Sequence, residues 1–249
     1  MSHPNSSLAA VILAAGQGKR MQSDLPKVLH DVGGRAMVLH VIDAVQTIGA
    51  RPVIVVTGYQ AGRVEAACAG KDVEFARQPE QLGTGHAVMQ AAPRLASHPG
   101  TVLVLNGDVP GLRPATIRRF VAYHDAQRAA ATVLTAELDD PSGYGRIVRD
   151  ASGRLLRIVE HKDATEKERA IREINSGLFC FAAAELFPAL TRVTRRNAQN
   201  EYYLTDVIGL LASEGKPVAA WCIEDSREVA GVNNPDELDA VRRFVAEEP

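Results

Sequence analysis

A glycine-containing junction near the start of the chain is the first segment whose residue types suggest chemistry. Residues 13–21 read Leu-Ala-Ala-Gly-Gln-Gly-Lys-Arg-Met and follow the apolar run Ala9–Leu13. The segment is not a dinucleotide-binding fingerprint, because Met21 stands where the third glycine belongs. It is not a P-loop, since Leu13 replaces the first glycine and Arg20 replaces the serine or threonine. Both standard phosphate-loop motifs are therefore excluded.

The same loop is still suited to phosphate through its backbone. Successive N–H groups of a glycine loop form an anion-binding concavity, and Lys19, Arg20 and Lys27 add positive charge nearby. The loop also follows an apolar run, and ligands of open α/β sheets bind beyond the ends of such strands. On these residues alone, a plain strand-to-helix turn with a solvated basic face explains the segment equally well.

Eight motifs spread along the chain resemble those of one enzyme family. The first is residues 13–21 with Asp24–Leu29 behind it, and the others are Gln78–Ala87, Asn106–Pro110, Gly143–Ile147, Val159–Ala164, Glu173–Gly177, Glu201–Asp206 and Gly231–Asn234. Their residues and order are similar to those of the N-terminal uridylyltransferase domain of bifunctional N-acetylglucosamine-1-phosphate uridylyltransferase. The match spans nearly all of the chain.

The resemblance implies a nucleotidyl transfer. UTP and N-acetylglucosamine-1-phosphate would give UDP-N-acetylglucosamine and pyrophosphate, with Mg²⁺ as cofactor. The sugar phosphate would attack the α-phosphorus of UTP in line, and pyrophosphate would leave. Such a reaction needs no protein nucleophile, so positioning and charge stabilisation would provide the catalysis.

The resemblance assigns Arg20 and Lys27 to the triphosphate, where they would stabilise the charge that develops during transfer. It assigns Mg²⁺ to Asp108 and Asn233, and two protein ligands suffice because Mg²⁺ keeps waters and binds phosphates. Asp108 follows the apolar run Thr101–Leu105, which places it at the ligand-binding edge of a sheet. Without the surrounding motifs, a turn-capping aspartate is the simpler explanation.

Two larger groups of site residues are implied in the same way. Those expected to bind the nucleotide are Leu13, Ala14, Ala15, Gly16, Gly18, Lys27, Gln78, Gln81, Gly83 and Thr84, the last four reading the uracil. Those expected to bind the sugar phosphate are Asn106, Gly145, Glu160, Asn175, Tyr203, Thr205 and Asn233. Structural alternatives are a helix N-cap for Thr84, a charged strand end on the surface for Glu160, and an aromatic at the core edge for Tyr203.

Other functions stay open as alternatives. A related nucleotidyltransferase with another base or sugar is one, since thymidylyl-, cytidylyl- and molybdopterin guanylyltransferases carry a similar glycine loop. Ala14-Ala15 and Gln78–Thr84 favour the uridylyl group. A non-catalytic regulatory protein that binds nucleotide sugars would be expected to lack Lys27, Asp108 or Asn233, and all three are present. An α/β binding domain rests on fold alone.

Composition restricts the class of protein. The chain has 249 residues, 46% hydrophobic and 23% charged, which is typical of a globular protein with a sizeable core. Its 28 basic and 30 acidic residues give no electrostatic case for nucleic acid, and no apolar run approaches the roughly 18–20 residues of a membrane span. Three distant cysteines without a C-x-x-C pair argue against a disulfide framework or zinc site. Residues 1–7 lack the cationic flank of a signal peptide, so we expect a cytoplasmic protein.

The elements that must position the site alternate between two periodicities in the first half. Short apolar runs predict buried strands, and helical spacing predicts helices between them. Strands are predicted at Ala9–Leu13, Val53–Val56, Val73–Ala76, Thr101–Leu105 and Ala131–Glu137, and helices at Met37–Ile48, Gln60–Ala69, Gly85–Ala92 and Pro114–Arg128. This alternation predicts βαβ units and a mostly parallel sheet.

The second half is predicted to be an antiparallel elaboration. Strands at Gly145–Arg149 and Arg154–Glu160 flank a turn cluster and form a hairpin. The remaining predicted elements are a long strand at Glu173–Phe181, a short helix at Ala182–Leu190 broken by Pro188, a strand at Val218–Ile223 and a terminal helix at Pro235–Glu247.

We therefore predict an α/β fold with a Rossmann-like, mostly parallel mixed sheet flanked by helices. The resemblance identifies it with the nucleotide-diphospho-sugar transferase fold. It divides a single domain, residues 1–249, into a nucleotide-binding half at about 8–140, a sugar-binding half at about 141–234 and a C-terminal helix at 235–249. The sequence has no hexapeptide repeats of a left-handed β-helix, so we expect no acetyltransferase activity and a monomer or weak oligomer.

Overall fold

The computed structural model describes residues 7–247. Its strands are β1 (Leu8–Ala14), β2 (Asp31–Val32), β3 (Arg35–Ala36), β4 (Val53–Thr57), β5 (Glu74–Arg77), β6 (Thr101–Asn106), β7 (Ala131–Glu137), β8 (Arg146–Arg149), β9 (Leu155–Val159), β10 (Glu173–Ala182) and β11 (Val218–Cys222). Its helices are α1 (Met37–Thr47), α2 (Ala61–Ala67), α3 (Thr84–Met89), α4 (Ala92–Leu95), α5 (Pro114–Gln127), α6 (Glu166–Arg169), α7 (Ala183–Leu190), α8 (Asp206–Ser213) and α9 (Pro235–Ala246). Residues 248 and 249 of the predicted terminal helix lie outside the described range.

A mixed sheet forms the centre of the fold. Its strand order is β11-β7-β10-β6-β1-β4-β5, and β8 pairs with β10 and β9. Strand β1 pairs in parallel with β4 and β6, β4 with β5, and β7 with β11. Strand β10 runs antiparallel to β6, β7 and β8. The predicted fold class is confirmed, and the antiparallel β10 lies in the middle of the sheet.

Both faces of the sheet are buried. In β1, Ala9 and Val11 pack into the apolar cluster that contains residues of α7 and α8, whereas Ala10 and Ile12 pack into the cluster that contains residues of α1 and α5. Because successive side chains of a strand point to opposite faces, a strand covered on both faces is mainly apolar. Thr132 and Thr135 of β7 are buried polar exceptions within a strand, whereas Asn106 and Asp108 lie at and just beyond the end of β6.

The predicted break of the Ala182–Leu190 helix at Pro188 is wrong, because α7 continues through it to Leu190. Pro188 lacks only the N–H that would bond back to the preceding turn, and Leu186, Phe187, Ala189 and Leu190 are buried. Apolar burial therefore outweighs one missing backbone bond.

Strands β2 and β3 and helices α4, α6 and α8 were not predicted. Among residues 7–247, none of the helices is long and apolar enough to cross a membrane.

The carboxyl ends of β1 and β6 lie side by side. Leu13 pairs with Asn106 in the parallel register, and the Gly107 N–H donates to the Leu13 carbonyl at 2.9 Å. The glycine loop after β1 and the Asn106–Asp108 segment after β6 therefore reach the same edge of the sheet. This is the edge at which open α/β sheets bind ligands.

Candidate active site

Two adjoining cavities open at this edge. The glycine-loop cavity, of about 370 Å³, is lined by Leu13, Ala14, Ala15, Gly16, Lys27, Val28, Gln78, Gln81, Gly83, Thr84, Ala87, Asn106, Asp108, Glu201 and Asn233. The hairpin cavity, of about 240 Å³, is lined among others by Arg20, Tyr144, Gly145, Glu160, Asn175, Ser176, Gly177, Thr205 and Glu237. Both are lined by Leu13, Thr84, Asn106, Asp108 and Asn233. These five residues mark the junction of the two cavities.

Most of the residues expected from the sequence line one or both cavities. The nucleotide set lines the glycine-loop cavity apart from Gly18, and the sugar set lines the hairpin cavity apart from Tyr203. Arg20 lines the hairpin cavity, and Lys27 the glycine-loop cavity. The fold therefore brings together side chains that are far apart in the sequence.

The backbone of Gly18 lies directly against the base of the Lys27 side chain. Its φ of +67° lies in the left-handed region, and a Cβ at this position would lie 2.5 Å from the Cβ of Lys27. Glycine alone adopts such a conformation without steric cost and allows this approach. The glycine of the loop thus determines where the Lys27 side chain begins.

A polar network occupies the junction. Lys27 Nζ forms a salt bridge with the Asp108 carboxylate and donates a hydrogen bond to Asn233 Oδ1 at 3.2 Å. Arg20 Nη2 donates to the same Asn233 oxygen at 3.0 Å. Asp108 is only 8% exposed, so its charge is weakly screened by solvent. One ammonium group therefore contacts both a carboxylate and an amide oxygen.

The loop before α9 fixes Asn233 in this network. The Val232 N–H donates to the Asp108 carbonyl at 3.1 Å, and the Asn233 N–H donates to Glu237 Oε2 at 2.6 Å. Asn234 is the N-cap of α9, because its side-chain oxygen accepts from the Glu237 N–H at 2.9 Å. These hydrogen bonds at the start of α9 hold Asn233 next to Asp108.

The Asp108 carboxylate and the Asn233 amide oxygen fit a divalent cation. Both contact the same nitrogen of Lys27, so both face a common point. Oxygen ligands are those preferred by Mg²⁺, which completes its coordination with water and phosphate. Among residues 7–247, no group of three or more His, Cys, Asp or Glu side chains is arranged to hold a metal. Water and a bound phosphate would complete the coordination of a cation held by these two oxygens.

Gln78 and the segment that leads into α3 form another part of the glycine-loop cavity. Gln78 is 4% exposed, and its Nε2 donates to the Gly83 carbonyl at 3.1 Å. Gly83, not Thr84, is the N-cap of α3, so the predicted N-cap alternative for Thr84 is wrong. Thr84 Oγ1 instead accepts from the Leu204 N–H at 3.1 Å, which couples the two chain segments.

Glu201 is a cavity residue that the sequence reasoning missed. The Tyr202 N–H donates to the Leu82 carbonyl, and the Gly85 N–H donates to the Tyr202 carbonyl, each at 2.8 Å. This pairing brings Glu201 into the glycine-loop cavity, where burial raises the pKa of its carboxyl. Its place in the Glu201–Asp206 motif was the available signal.

Glu160 is a half-buried acceptor that lines the hairpin cavity and is not an exposed strand end. Its Oε1 accepts from Thr205 Oγ1 at 2.9 Å, and a Cβ on Gly145 would lie 3.4 Å from its Oε2. Burial raises the pKa of Glu160, the Thr205 hydrogen bond opposes this, and the charges of Asp206, Asp163 and Glu201 add to the rise. The carboxyl is thus held against the backbone of the β8–β9 hairpin.

A bulge in β10 supplies amide groups to the same cavity. The pairing with β7 jumps from Asn175–Thr135 to Leu178–Leu134. Asn175 Oδ1 accepts from the Gly177 N–H at 2.9 Å, which leaves its Nδ2 without a partner among the described residues and available to a ligand. Gly177 has a φ of +82°, and a Cβ there would lie 2.2 Å from Asn106 Nδ2. Because Gly177 has no side chain, the Asn106 amide can pack against the bulge at the junction.

Tyr203 lines neither cavity. It is 6% exposed, and its hydroxyl donates to Asp163 Oδ2 at 3.1 Å. Burial raises the pKa of Tyr203 to about 12. The side chain lines a third cavity of about 510 Å³, which shares Glu160 and Thr205 with the hairpin cavity. The alternative of a core-edge aromatic describes this placement.

Arg146 is a buried cation beneath the hairpin cavity. It is 1% exposed, and its Nη1 donates to the Tyr144 carbonyl. Its Nη2 lies 3.4 Å from His161 Nδ1, and burial lowers the pKa of the guanidinium. Arg146 thus connects the cavity residue Tyr144 to His161, the neighbour of Glu160.

Comparison with known proteins agrees with this arrangement. The site is a cleft at the carboxyl edge of a mostly parallel sheet, lined by a glycine loop and the buried carboxylate of Asp108, as in proteins that bind nucleotides. Residues 10–204 match the family model described as the MobA-like NTP transferase domain, and the chain belongs to that family.

Two relatives with similar sequences support the resemblance seen in the motifs. The chain is 50% identical over 240 residues to "Bifunctional protein GlmU" of Brevibacillus brevis, covering 96% of this chain and 52% of the relative. It is 51% identical over 238 residues to the protein of the same name from a Geobacillus species, with coverages of 96% and 52%. The chain thus spans about half the length of these relatives. Their similarity confirms the resemblance inferred from the motifs.

A solved structure supports the fold. The chain superposes on UDP-glucose pyrophosphorylase complexed with UDP-glucose with a TM-score of 0.78 and 15% identity, covering 97% of this chain and 99% of the other. At that identity the likeness speaks for the architecture alone.

Proposed function

We propose that the chain is a uridylyltransferase that converts UTP and N-acetylglucosamine-1-phosphate into UDP-N-acetylglucosamine and pyrophosphate. The observation that carries the proposal is the meeting of two cavities at Asp108 and Asn233, beside Lys27. One cavity has the glycine loop expected for a nucleotide, and the other has the carboxyl and amide groups expected for a sugar. The motif resemblance supports the choice of these substrates.

UTP would occupy the glycine-loop cavity. Gln78, Gln81, Gly83 and Thr84 would surround the uracil, and Leu13, Ala14, Ala15 and Gly16 would present the loop to ribose and phosphates. Lys27 and Arg20 carry the positive charge that the triphosphate requires, and Gly18 seats Lys27. Both side chains lie at the junction through their hydrogen bonds to Asn233, and positioned cations of this kind stabilise charge that develops during transfer.

The sugar phosphate would occupy the hairpin cavity. Glu160 and Asn175 offer an acceptor and a donor to hydroxyl and N-acetyl groups, while Thr205 orients Glu160. Gly145 leaves room for the sugar ring, and Asn106 and Asn233 lie where the two substrates would meet. Tyr203 would act indirectly, by holding Asp163.

The transfer would be a single displacement. A phosphate oxygen of the sugar forms the new bond to the α-phosphorus of UTP, while the bond from that phosphorus to the pyrophosphate oxygen breaks. Arg20 and Lys27 stabilise the charge on the phosphoryl and leaving groups. Asp108 and Asn233 would hold Mg²⁺, which when bound neutralises phosphate charge. The chain contributes mainly positioning and electrostatics.

The remaining parts of the proposal concern organisation. Residues 8–140 would form the nucleotide-binding half and residues 141–234 the sugar-binding half, with the terminal helix α9 as a support. We further propose a cytoplasmic location, where UTP is available, and a monomer or weak oligomer that engages neither membrane nor nucleic acid. The near balance of 28 basic and 30 acidic residues supports the absence of a nucleic-acid role.

Pyrophosphate release tests the proposal. The purified chain is assayed with Mg²⁺, UTP and N-acetylglucosamine-1-phosphate, and parallel reactions contain dTTP, CTP, ATP or GTP, or glucose-1-phosphate. Release with the proposed pair above all others is expected. Release with a different pair would move the specificity to a related nucleotidyltransferase. No release from folded protein would favour the non-catalytic regulatory alternative.

Replacement of Asp108 tests the metal assignment. Asp108→Ala removes the carboxylate of the junction, and we expect near-complete loss of Mg²⁺-dependent turnover with an unchanged circular dichroism spectrum. Asp72→Ala is the matched control, since Asp72 pairs with Arg51 on the surface, away from both cavities. Unchanged turnover in Asp108→Ala would refute the metal site.

A further inference from the structure

Gln78 is held in the glycine-loop cavity through its side-chain nitrogen. Nε2 lies 3.1 Å from the Gly83 carbonyl oxygen and 3.1 Å from His86 Nδ1. A carbonyl oxygen only accepts hydrogen bonds, so the NH₂ group of Gln78 must face Gly83. The hydrogen-bond network therefore fixes which end of this amide is nitrogen and which is oxygen.

His86 is placed to bind the second hydrogen of that NH₂ group. Its Nδ1 accepts from Gln78 when the imidazole is neutral with its hydrogen on Nε2. Nδ1 also lies 3.0 Å from the Glu80 carbonyl, which would accept only if the hydrogen were on Nδ1. Gln78 is almost fully buried, and an unpaired buried donor is costly. This favours the arrangement in which His86 accepts from Gln78.

The His86 ring is itself restrained. It packs beside the Tyr202 ring, with centroids 6.1 Å apart, and the Arg195 guanidinium covers Tyr202 at 5.7 Å. The His86 backbone carbonyl accepts at 2.9 Å from Nε2 of Gln90, the C-cap residue of α3. These contacts give the imidazole a fixed position relative to Gln78.

Gln78 therefore presents only its side-chain oxygen, a hydrogen-bond acceptor, to a ligand in the cavity. With both NH₂ hydrogens directed at Gly83 and His86, no donor among residues 7–247 contacts Gln78 Oε1. Gln78 lines the cavity, so it offers a base an acceptor and no donor. Uracil and thymine carry a hydrogen on N3 that pairs with an acceptor. Cytosine carries a lone pair on N3, which an acceptor repels.

We propose that His86 is a positioning residue for base selection: by holding the Gln78 amide in one orientation, it favours a nucleotide with an N3–H over a cytosine nucleotide. The inference deepens the proposed function and rests on its placement of the base in the glycine-loop cavity. His86 is therefore expected to contribute to the preference for uracil over cytosine and to leave the preference between uracil and thymine unchanged.

Equilibrium binding separates this role from a general structural one. Calorimetric affinities for UTP, dTTP and CTP are measured with wild-type chain and with His86→Leu. The UTP-to-CTP affinity ratio is expected to fall about fivefold, the effect of one hydrogen bond of about average strength. The UTP-to-dTTP ratio is expected to stay within twofold, because both bases carry the N3 hydrogen.

Two variants complete the design. His86→Asn keeps a side-chain oxygen that can accept from Gln78, so it is expected to retain the wild-type UTP-to-CTP ratio. His98→Leu removes a histidine that contacts Ser7 at the opposite edge of the sheet, and all three affinities should match wild type. His86→Ala provides the same test should His86→Leu not fold.

The outcomes distinguish the inference from the proposed function. A wild-type preference for UTP that persists unchanged in His86→Leu would overturn the role of His86 and leave the uridylyltransferase proposal standing. An equal loss of affinity for all three nucleotides would mark a loosened cavity and also overturn that role. A wild-type chain without preference for UTP over CTP would contradict the base assignment itself, and the inference with it.

Discussion

The ammonium group of Lys27 is paired with the carboxylate of Asp108 at the junction of the two cavities. The residue proposed to hold the triphosphate therefore contacts the residue proposed to hold the metal. Asn233 Oδ1 accepts from the same ammonium at 3.2 Å. Lys27 thus contacts both of the oxygen atoms that a bound divalent cation would share.

This pairing predicts competition between Lys27 and a divalent cation. Lys27→Met removes a unit charge next to Asp108, an effect of roughly 1–4 kcal/mol at about 4 Å near a protein surface. We expect Mn²⁺ to bind the nucleotide-free variant about tenfold more tightly than wild type, while turnover falls steeply. Paramagnetic resonance of free Mn²⁺ measures the affinity.

Lys71→Met is the matched control for that experiment, because Lys71 pairs with Asp43 away from both cavities. It should leave Mn²⁺ affinity and turnover at wild-type values. Equal or weaker Mn²⁺ binding in Lys27→Met would contradict the competition between the two cations.

The glycine loop predicts a strong effect of a single methyl group. In Gly18→Ala the new Cβ would lie 2.5 Å from the Lys27 Cβ, so the lysine must move. We expect kcat to fall at least tenfold, together with a loss of stability of about 1 kcal/mol from the left-handed backbone. Steady-state kinetics and thermal unfolding measure the two effects.

Gly70→Ala is the control that distinguishes the effect of backbone strain from the effect of displacing Lys27. Gly70 also has a positive φ, of +83°, but a Cβ there meets nothing within 4 Å. It should lower the unfolding temperature similarly and leave kcat unchanged. A similar loss of kcat in both alanine variants would rule out a specific role for Gly18 beneath Lys27.

Glu160 predicts a pH dependence of sugar-phosphate binding. Its raised pKa means that, as the pH falls, the acceptor carboxylate becomes protonated earlier than an exposed glutamate would. The KM for N-acetylglucosamine-1-phosphate should therefore rise on the acid side. The Thr205 hydroxyl lowers the pKa of Glu160, so Thr205→Val should raise that pKa further and move the rise in KM to higher pH.

Glu160→Gln is the control for titration of the sugar phosphate itself. The glutamine does not titrate, so its KM should be high at every pH and follow only the substrate. An acid-side rise that is identical in wild type and Glu160→Gln would show that Glu160 is not the titrating group.

Arg146 predicts a substrate-selective defect. Its guanidinium connects the Tyr144 carbonyl with His161, next to Glu160. Arg146→Met should raise the KM for N-acetylglucosamine-1-phosphate about tenfold and change the KM for UTP by less than twofold, since only the hairpin cavity loses its support. Initial-rate kinetics with each substrate varied in turn measures both.

Arg154→Met serves as the comparison within the same hairpin, because the exposed Arg154 pairs with Asp150 in the β8–β9 turn and, among residues 7–247, with no cavity residue. It should leave both KM values unchanged. An equal rise of the two KM values in Arg146→Met would indicate a general disturbance of the fold and contradict a positioning role.

The first half of the fold was predictable because both faces of its sheet are covered. The interior of a strand such as β6 is then apolar, and a polar residue such as Asp108 stands out just after the strand ends. The glycine loop after β1 stands out for the same reason. The motif resemblance identified most of the cavity lining, since those residues occur in recognisable groups.

What could not be predicted depends on contacts between distant segments. Glu201 reaches the cavity only because Tyr202 pairs with Leu82 and Gly85. Tyr203 turns away to Asp163, which its neighbours in sequence do not indicate. Pro188 fails to end α7 because tertiary burial overrides a local preference.

Direct transfer between the two substrates is tested by following substrates and products of the wild-type chain with ³¹P nuclear magnetic resonance. With UTP, N-acetylglucosamine-1-phosphate and Mg²⁺, we expect the signals of a sugar nucleotide diphosphate and of pyrophosphate to grow at equal rates. Both should be absent when the sugar phosphate is omitted. Pyrophosphate formation from UTP alone, or no diphosphate product from the folded chain, would contradict a direct transfer at the junction of the two cavities.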